Sequence, residues 1–129
     1  MLDVDHFKKI NDTFGHQTGD LVLKGLAVQV SQVLREIDVF GRWGGEEFLC
    51  LLPNTSYGEA LRCAGCLRAD LANARLVEAM PEFVVTASFG VVGCCGEDDA
   101  DSVMSRVDAA LYEAKAAGRN RVSGLSCFD

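Results

Sequence analysis

Alternating acids near the N-terminus form the first candidate site. Asp3 and Asp5 alternate with apolar residues, and Lys8 and Lys9 follow shortly after them. Carboxylates at the end of a strand can hold Mg²⁺, and the free N–H groups of a helix start, together with Lys8, can hold phosphates. A solvated cluster of acids and lysines is the plainer interpretation, and these residues alone leave both open.

A second pair of carboxylates follows two glycines. Gly44 and Gly45 are typical of a two-residue hairpin, and Glu46 and Glu47 come directly after them. Glycine permits a positive φ and lets another molecule approach the backbone closely. The alternative is a type I′ turn that carries two surface glutamates.

A third cluster combines amide, carboxylate and imidazole groups between two predicted helices. Asn11, Asp12, His16 and Asp20 lie here, with glycines at positions 15 and 19. Asparagine and aspartate side chains can read the edge of a base through their donors and acceptors. Helix caps and turns would use the same residue types.

Apolar periodicity predicts the elements that position these residues. We expect strands over residues 1–5, 38–43, 46–52, 83–92 and 121–123. Helices are expected over 6–14 and 20–35, from Ser56 to a point before Pro81, and from an Asp101 cap to Gly118. A hairpin in the middle of this order excludes a purely parallel sheet. The predicted fold is an α/β (α+β) domain over residues 1–129, with a mixed, mostly antiparallel sheet of about five strands flanked by helices.

The charge balance bears on possible partners. Lysine and arginine number 12 against 19 acids, so the net charge is −7. A nucleic-acid-binding protein needs a basic stripe, and the sequence has none, so we expect no nucleic-acid partner. No apolar run reaches the roughly 18 residues of a membrane span, and residues 1–9 do not resemble a signal peptide. We expect no membrane contact by this chain and a cytoplasmic location.

Six cysteines, at positions 50, 63, 66, 94, 95 and 127, raise the question of disulfides. Without secretory features, we expect them to be reduced and mostly used in packing. The C-x-x-C spacing at 63–66 has no second ligand pair with zinc-site spacing.

Four ordered strings carry a resemblance to a known family. Residues 3–20 resemble D-x-D-x-F-K-x-x-N-D-x-x-G-H-x-x-G-D, and residues 42–48 resemble R-x-G-G-[DE]-E-F. Residues 86–91 resemble T-x-S-x-G-V, and residues 109–121 resemble A-L-Y-x-A-K-x-x-G-R-N-x. The chain is identified by them as a member of the GGDEF domains, which are diguanylate cyclases that condense two GTP into cyclic di-GMP. The resemblance implies a nucleotidyl-cyclase, palm-like fold with a ferredoxin-like core.

The resemblance also implies residue roles. Mg²⁺ or Mn²⁺ would be held by Asp3, Glu46 and the Val4 carbonyl, with Glu46, Glu47 and Lys8 as catalytic residues. The GTP-binding residues would be Phe7, Lys8, Asn11, His16, Asp20, Lys115 and Arg119. Among these, Asn11 and Asp20 would bind the guanine edge, while Lys115 and Arg119 would neutralise the terminal phosphates.

Assembly and control are further implications of the resemblance. Two domains must face each other because each supplies one GTP, so a homodimer is expected. Arg35 and Asp38 match the family's R-x-x-D inhibitory pattern, at the family's distance from the glycine pair, and would bind the product cyclic di-GMP. The N-terminal helix and D-x-L-T-G-L-x-N-R motif of the family are absent, and we expect an exposed apolar patch where they would pack. Sensor or membrane modules common in the family are also absent from this chain.

Two alternatives to an active cyclase stay open. A catalytically silent module would bind GTP or cyclic di-GMP as a regulatory receptor. A different metal-dependent nucleotidyl transferase would share the palm-like fold, although the guanine-reading pair Asn11 and Asp20 argues against it.

Overall fold

The computed structural model describes residues 1–127, which fold into five strands and four helices. In chain order they are β1 (Leu2–Val4), α1 (Phe7–Phe14), α2 (His16–Val33), β2 (Val39–Gly44), β3 (Glu47–Leu51), α3 (Tyr57–Asn73), β4 (Ala87–Val92), α4 (Ala100–Ala116) and β5 (Val122–Leu125). This is the element order that the apolar periodicity predicts.

The strands form one sheet in the order β2-β3-β1-β4-β5. The central strand β1 pairs antiparallel with β3 and with β4, and β2 pairs antiparallel with β3. Within residues 1–127, β4 and β5 are the one parallel pair. The predicted mixed, mostly antiparallel sheet is confirmed.

Alternation along β1 separates the core from the candidate site. Leu2 and Val4 are almost fully buried in the main core, together with apolar residues of α2 and α3. Successive side chains of a strand point to opposite faces. Asp3 therefore lies on the other face, where Lys115 of α4 contacts it.

Helix α4 packs on that second face of the sheet, directly against Gly90 of β4. A Cβ atom on Gly90 of β4 would lie 2.7 Å from the carbonyl oxygen of Val107 and 2.5 Å from the amide nitrogen of Leu111. The backbones of the helix and the strand are thus in direct contact. This contact fixes the depth at which α4, and with it Lys115, sits on the sheet.

Several element boundaries differ from those predicted. Helix α2 begins at His16 rather than at residue 20, because Gly15, with a φ of 93°, ends α1 and α2 starts directly after it. Strand β4 begins at Ala87 rather than residue 83, since the Phe83 backbone amide bonds to the Met80 carbonyl in a turn. The Phe83 ring packs edge-on against Phe14, with ring centroids 4.9 Å apart. The cap of α4 is Asp99 rather than Asp101, and its side chain accepts a hydrogen bond from the Ser102 amide.

Apolar side chains remain exposed on strands β2 and β3. Val39 and Trp43 of β2 and Leu51 of β3 are each more than half exposed, at 56, 58 and 53 %. An apolar cavity of about 370 Å³, lined in part by Met1 and Met104, opens in the same half of the molecule. That an N-terminal helix would pack on this surface stays a prediction.

All six cysteines are free. Burial raises the pKa of the Cys50 thiol to about 11, which fits a packing role. Cys66 and Cys94 are exposed, so packing does not describe those two. Among residues 1–127, no helix has the length and apolar character needed to cross a membrane.

Candidate active site

Asp3 is the centre of the candidate site. Asp3 is only 4 % exposed, and its carboxylate accepts a hydrogen bond of 2.5 Å from the Lys115 ammonium group. Lys115 lies in the last turn of α4. A buried carboxylate is costly unless it is paired or binds a metal, and in this structure Lys115 is its partner.

The hairpin between β2 and β3 brings two more carboxylates to Asp3. Glu47 is the direct partner of Asp3 across the antiparallel pair of β1 and β3. Directly opposed residues have Cβ atoms about 4.5–5.5 Å apart and side chains on the same face. The Val4 amide donates a 3.3 Å hydrogen bond to the Glu46 carbonyl, which anchors the hairpin to β1.

The hairpin turn lies one residue later than predicted. Gly45 and Glu46 form it, and Gly44 still pairs with Glu47 as part of the strands. An irregularity between Arg42 and Gly44 shifts the register. Of the two turn residues only Gly45 has a positive φ (52°), so the type I′ alternative is wrong.

An arginine side chain braces this turn. The Arg42 guanidinium donates a 2.8 Å hydrogen bond from Nε to the Gly45 carbonyl. Sequence reasoning assigned Arg42 no role, although it belongs to the hairpin string. Glu46 follows Gly45 in the turn, so this bond holds the backbone next to Glu46.

Burial and neighbouring charges act on the ionisation of Asp3. Burial, with the charges of Glu46 and Glu47, raises its pKa from 3.8 to about 6, against the opposing effect of the Lys115 hydrogen bond and charge. Crowded acids that disfavour their own ionised forms are suited to binding a cation.

The donor set fits a hard divalent metal. Asp3 and Glu46 offer carboxylate oxygens and Val4 offers a carbonyl, which are ligand types that Mg²⁺ and Mn²⁺ prefer. Within the described residues, no three His, Cys, Asp or Glu side chains come together as a metal-binding group. Two carboxylates and a carbonyl would thus leave further coordination positions to phosphate oxygens or water.

The start of α1 lies next to these acids. Its N-cap, His6, has a left-handed backbone (φ 55°), and no side chain caps the helix. Phe7 and Lys8 occupy the first turn, and Lys8 is exposed. Uncapped N–H groups at a helix start attract anions, so this position suits a phosphate.

Asn11 provides a second unsatisfied polar group. Its Oδ1 atom is buried and lacks a hydrogen-bond partner, and any Cβ on Gly19 of α2 would collide with it. Leaving a buried acceptor unpaired costs about 1–3 kcal/mol. His16 and Asp20 are exposed on the first turns of α2. No side chain caps α1 or α2, so Asn11 is not the cap residue of the plainer interpretation.

Asp5 belongs to a neighbouring hydrogen-bond network that the sequence did not reveal. The Asp5 carboxylate accepts hydrogen bonds from the hydroxyls of Thr86 and Ser88 and from the backbone N–H of Asn120. Arg119 is exposed and adopts a positive φ of 63°. Thr86, Ser88 and Asn120 lie more than 80 positions from Asp5 in sequence, so no local pattern signals these contacts.

Arg35 and Asp38 lie away from this site, at the opposite end of β2 from the hairpin. A six-residue strand spans roughly 20 Å. The Arg35 guanidinium binds Asp38 at 2.8 Å and also donates to the Pro53 carbonyl and the Thr55 hydroxyl. The hydrogen bond from Arg35 lowers the pKa of the Asp38 carboxyl below its usual value.

Comparison with known proteins agrees with this picture. The family described as "Diguanylate cyclase, GGDEF domain" matches residues 1–121. The chain is 42 % identical to the response regulator PleD of Caulobacter vibrioides over 127 residues, covering 96 % of this chain and 28 % of PleD. It is 44 % identical to the diguanylate cyclase DgcM of Escherichia coli K12 over 122 residues, covering 95 % and 29 % of the two chains.

Solved structures show the same fold. The GGDEF domain of DgcB from Caulobacter crescentus, in complex with c-di-GMP, superposes with a TM-score of 0.88 at 36 % identity, covering 95 % of this chain and 74 % of that one. The active GGEEF domain of a diguanylate cyclase from Vibrio cholerae superposes with a TM-score of 0.86 at 38 % identity, covering 95 % and 78 %.

Fold, sequence strings and comparisons lead to one class: the chain belongs to the GGDEF family of diguanylate cyclase domains. It spans less than a third of the length of PleD and DgcM.

Proposed function

We propose that this domain condenses two GTP into cyclic di-GMP and pyrophosphate. The observation that carries the proposal is the cluster at the end of β1. There the buried carboxylate of Asp3 contacts Lys115 and faces Glu47 across the sheet. The relatives named as diguanylate cyclases support the same reaction.

Asp3, Glu46 and the Val4 carbonyl would hold Mg²⁺ or Mn²⁺. When bound, the metal supplies charge neutralisation and Lewis-acid polarisation at the phosphates. Glu47 would accept a proton from an attacking ribose 3′-hydroxyl. Its register opposite Asp3, which puts both side chains on one face, supports this role. Phosphoryl transfer depends mainly on such positioning and charge stabilisation.

Other residues would bind the nucleotide itself. Phe7, through its backbone N–H, and Lys8 would hold phosphates at the start of α1. Lys115 and Arg119 would bind the terminal phosphates, and Lys115 would then leave Asp3 to the metal. His16 would line the pocket.

Guanine would be recognised between α1 and α2. The unpaired Oδ1 of Asn11 supports this placement, because a guanine N–H donor would satisfy it. Asp20, on the neighbouring helix, would accept a second hydrogen bond from the base. A nucleotidyl transferase of another specificity would not need this pair.

Two facing copies would complete the reaction, since each 3′-hydroxyl attacks the α-phosphate held by the other domain. Feedback inhibition by cyclic di-GMP would act at Arg35 and Asp38. The planar guanidinium group of arginine can form paired hydrogen bonds with a phosphate or with the edge of a guanine base. Arg35 donates from Nη2 to the Pro53 carbonyl and the Thr55 hydroxyl, so product would meet a guanidinium that is already held in place.

Nucleotide selectivity tests the proposal. We expect the protein with Mg²⁺ to convert GTP, but not ATP, into a cyclic dinucleotide identified by chromatography. Asn11→Ala should lower GTP affinity at least about tenfold, as loss of a base contact does, while Gln17→Ala, an exposed amide in α2, should not. GTP binding without any product would instead indicate the silent regulatory module, and equal use of ATP would indicate another nucleotidyl transferase.

A further inference from the structure

A buried carboxylate beside the candidate site has no role in the chemistry described so far. Asp5 is 6 % exposed. It accepts hydrogen bonds of 2.6 Å from the Thr86 hydroxyl, 2.6 Å from the Ser88 hydroxyl and 2.9 Å from the Asn120 backbone N–H. Asp5 therefore connects the end of β1, the start of β4 and the loop between α4 and β5.

The same contacts account for motif positions that the proposed reaction leaves unexplained. Asp5 is the second acid of the string at residues 3–20. Thr86 and Ser88 are the polar positions of the string at 86–91, and Asn120 belongs to the string at 109–121. Residues from three separate strings thus meet at one carboxylate.

The loop held by Asp5 has an unfavourable backbone. Gly118, Arg119 and Asn120 have successive φ values of 125°, 63° and 46°. A left-handed conformation costs a non-glycine residue about 1–2 kcal/mol, and such residues persist only where their surroundings enforce them. Two hydrogen bonds hold the loop in this conformation. The Asn120 backbone N–H donates to Asp5, and the Arg119 backbone N–H donates to the Ala114 carbonyl at 3.0 Å.

We propose that Asp5 is a positioning residue that holds the 118–120 loop so that Arg119 can bind the terminal phosphates of GTP. Asp5 acts through the loop and does not touch the substrate. Its oxygens are engaged by three donors, which separates it from Asp3 and argues against a second metal-binding acid. The phosphate part of this inference rests on the proposed function, whereas the holding of the loop does not.

Amide hydrogen exchange measured by mass spectrometry tests the loop directly. In Asp5→Asn the side-chain amide keeps one acceptor oxygen. It also places an NH₂ donor where the Thr86 and Ser88 hydroxyls and the Asn120 backbone N–H donate to Asp5 in the wild type. We expect exchange in residues 118–121 to be about tenfold faster, as for the loss of one enforcing hydrogen bond. Asp70→Asn, an exposed acid in α3, should leave it unchanged. Unaltered protection of the loop in Asp5→Asn would overturn the proposal.

Thr86→Val provides a milder variant in case Asp5→Asn does not fold. It removes one donor to Asp5 and nearly keeps the side-chain shape. We expect a smaller acceleration in the same segment than in Asp5→Asn. Unchanged exchange in Thr86→Val would contradict the proposed enforcement.

Nucleotide affinity separates positioning from general destabilisation. The probes are α,β-methylene GTP, which keeps the terminal phosphates, and GMP, which lacks them. In Asp5→Asn we expect about tenfold weaker binding of the analogue and GMP binding within about twofold of wild type. Equal loss of both ligands would mean a merely structural role. If the wild-type protein binds neither, the proposed function fails, and the exchange experiment still decides whether Asp5 holds the loop.

Discussion

At the scale of single residues, the ionisation of Asp3 links the candidate site to stability. The pKa of Asp3 in the fold is about 6, against 3.8 as its ordinary value. Between these values the folded protein binds the proton more strongly than the unfolded chain, so stability falls as pH rises from about 4 to about 6. Above pH 6 both states are ionised and this contribution is constant.

This effect can be measured in metal-free protein. We expect the free energy of unfolding of wild type, relative to Asp3→Asn, to decrease as pH rises from about 4 to 6 and then to level off. Urea titrations of both proteins across this range measure the difference. A difference that grows with pH through the same window would show that Lys115 outweighs burial and that the pKa of Asp3 is lowered.

Glu46 gives the second residue-scale prediction. Glu46→Gln keeps the size of the side chain but removes a charged metal ligand, so we expect Mn²⁺ affinity to fall at least about tenfold and cyclic di-GMP formation at least about 100-fold. Electron paramagnetic resonance measures the free Mn²⁺, and Glu78→Gln, an exposed glutamate, is the matched control. Retained Mn²⁺ affinity in Glu46→Gln would remove this residue from the metal site.

At the scale of secondary-structure elements, the close packing of α4 against Gly90 of β4 positions Lys115. We expect Gly90→Ala to lower the free energy of unfolding by about 1–3 kcal/mol, because the new methyl group collides with helix backbone. Gly65→Ala, in α3 with open space around it, should instead stabilise the protein by up to about 1 kcal/mol. Chemical denaturation of both variants measures the effect, and an unaffected Gly90→Ala would mean that α4 can shift freely on the sheet.

The sequence predicts the elements better than their contacts. Apolar spacing is local information, so the order of strands and helices and the hairpin at the glycine pair could be predicted. The irregularity after Arg42 moves the turn by one residue, and no residue type in the string signals that shift. The pairing of Lys115 with Asp3 joins positions 112 apart, and the network around Asp5 is similarly non-local. Those contacts exist only once the sheet has formed.

At the scale of the whole molecule, the proposed inhibitory site is separate in space from the candidate active site. Arg35 pairs with Asp38 and donates a hydrogen bond to Thr55, and both residues lie at the far end of β2 from Glu46. We expect Arg35→Ala to raise the concentration of cyclic di-GMP needed for half-inhibition at least about tenfold, since a bidentate anion contact is lost. Rates with and without added product measure this ratio, with Arg75→Ala, an exposed arginine, as the control. Inhibition of equal strength in Arg35→Ala would place the inhibitory site elsewhere.

The central claim is that two copies of this domain together make cyclic di-GMP from two GTP. The most direct measurement is the rate of GTP turnover with Mg²⁺ over a series of protein concentrations, with the products separated by chromatography. We expect cyclic di-GMP and pyrophosphate, formed at a rate that rises more steeply than linearly with protein concentration while dimers are scarce. Bound GTP with no cyclic di-GMP at any protein concentration, or a rate strictly proportional to concentration from a monomer, would contradict it.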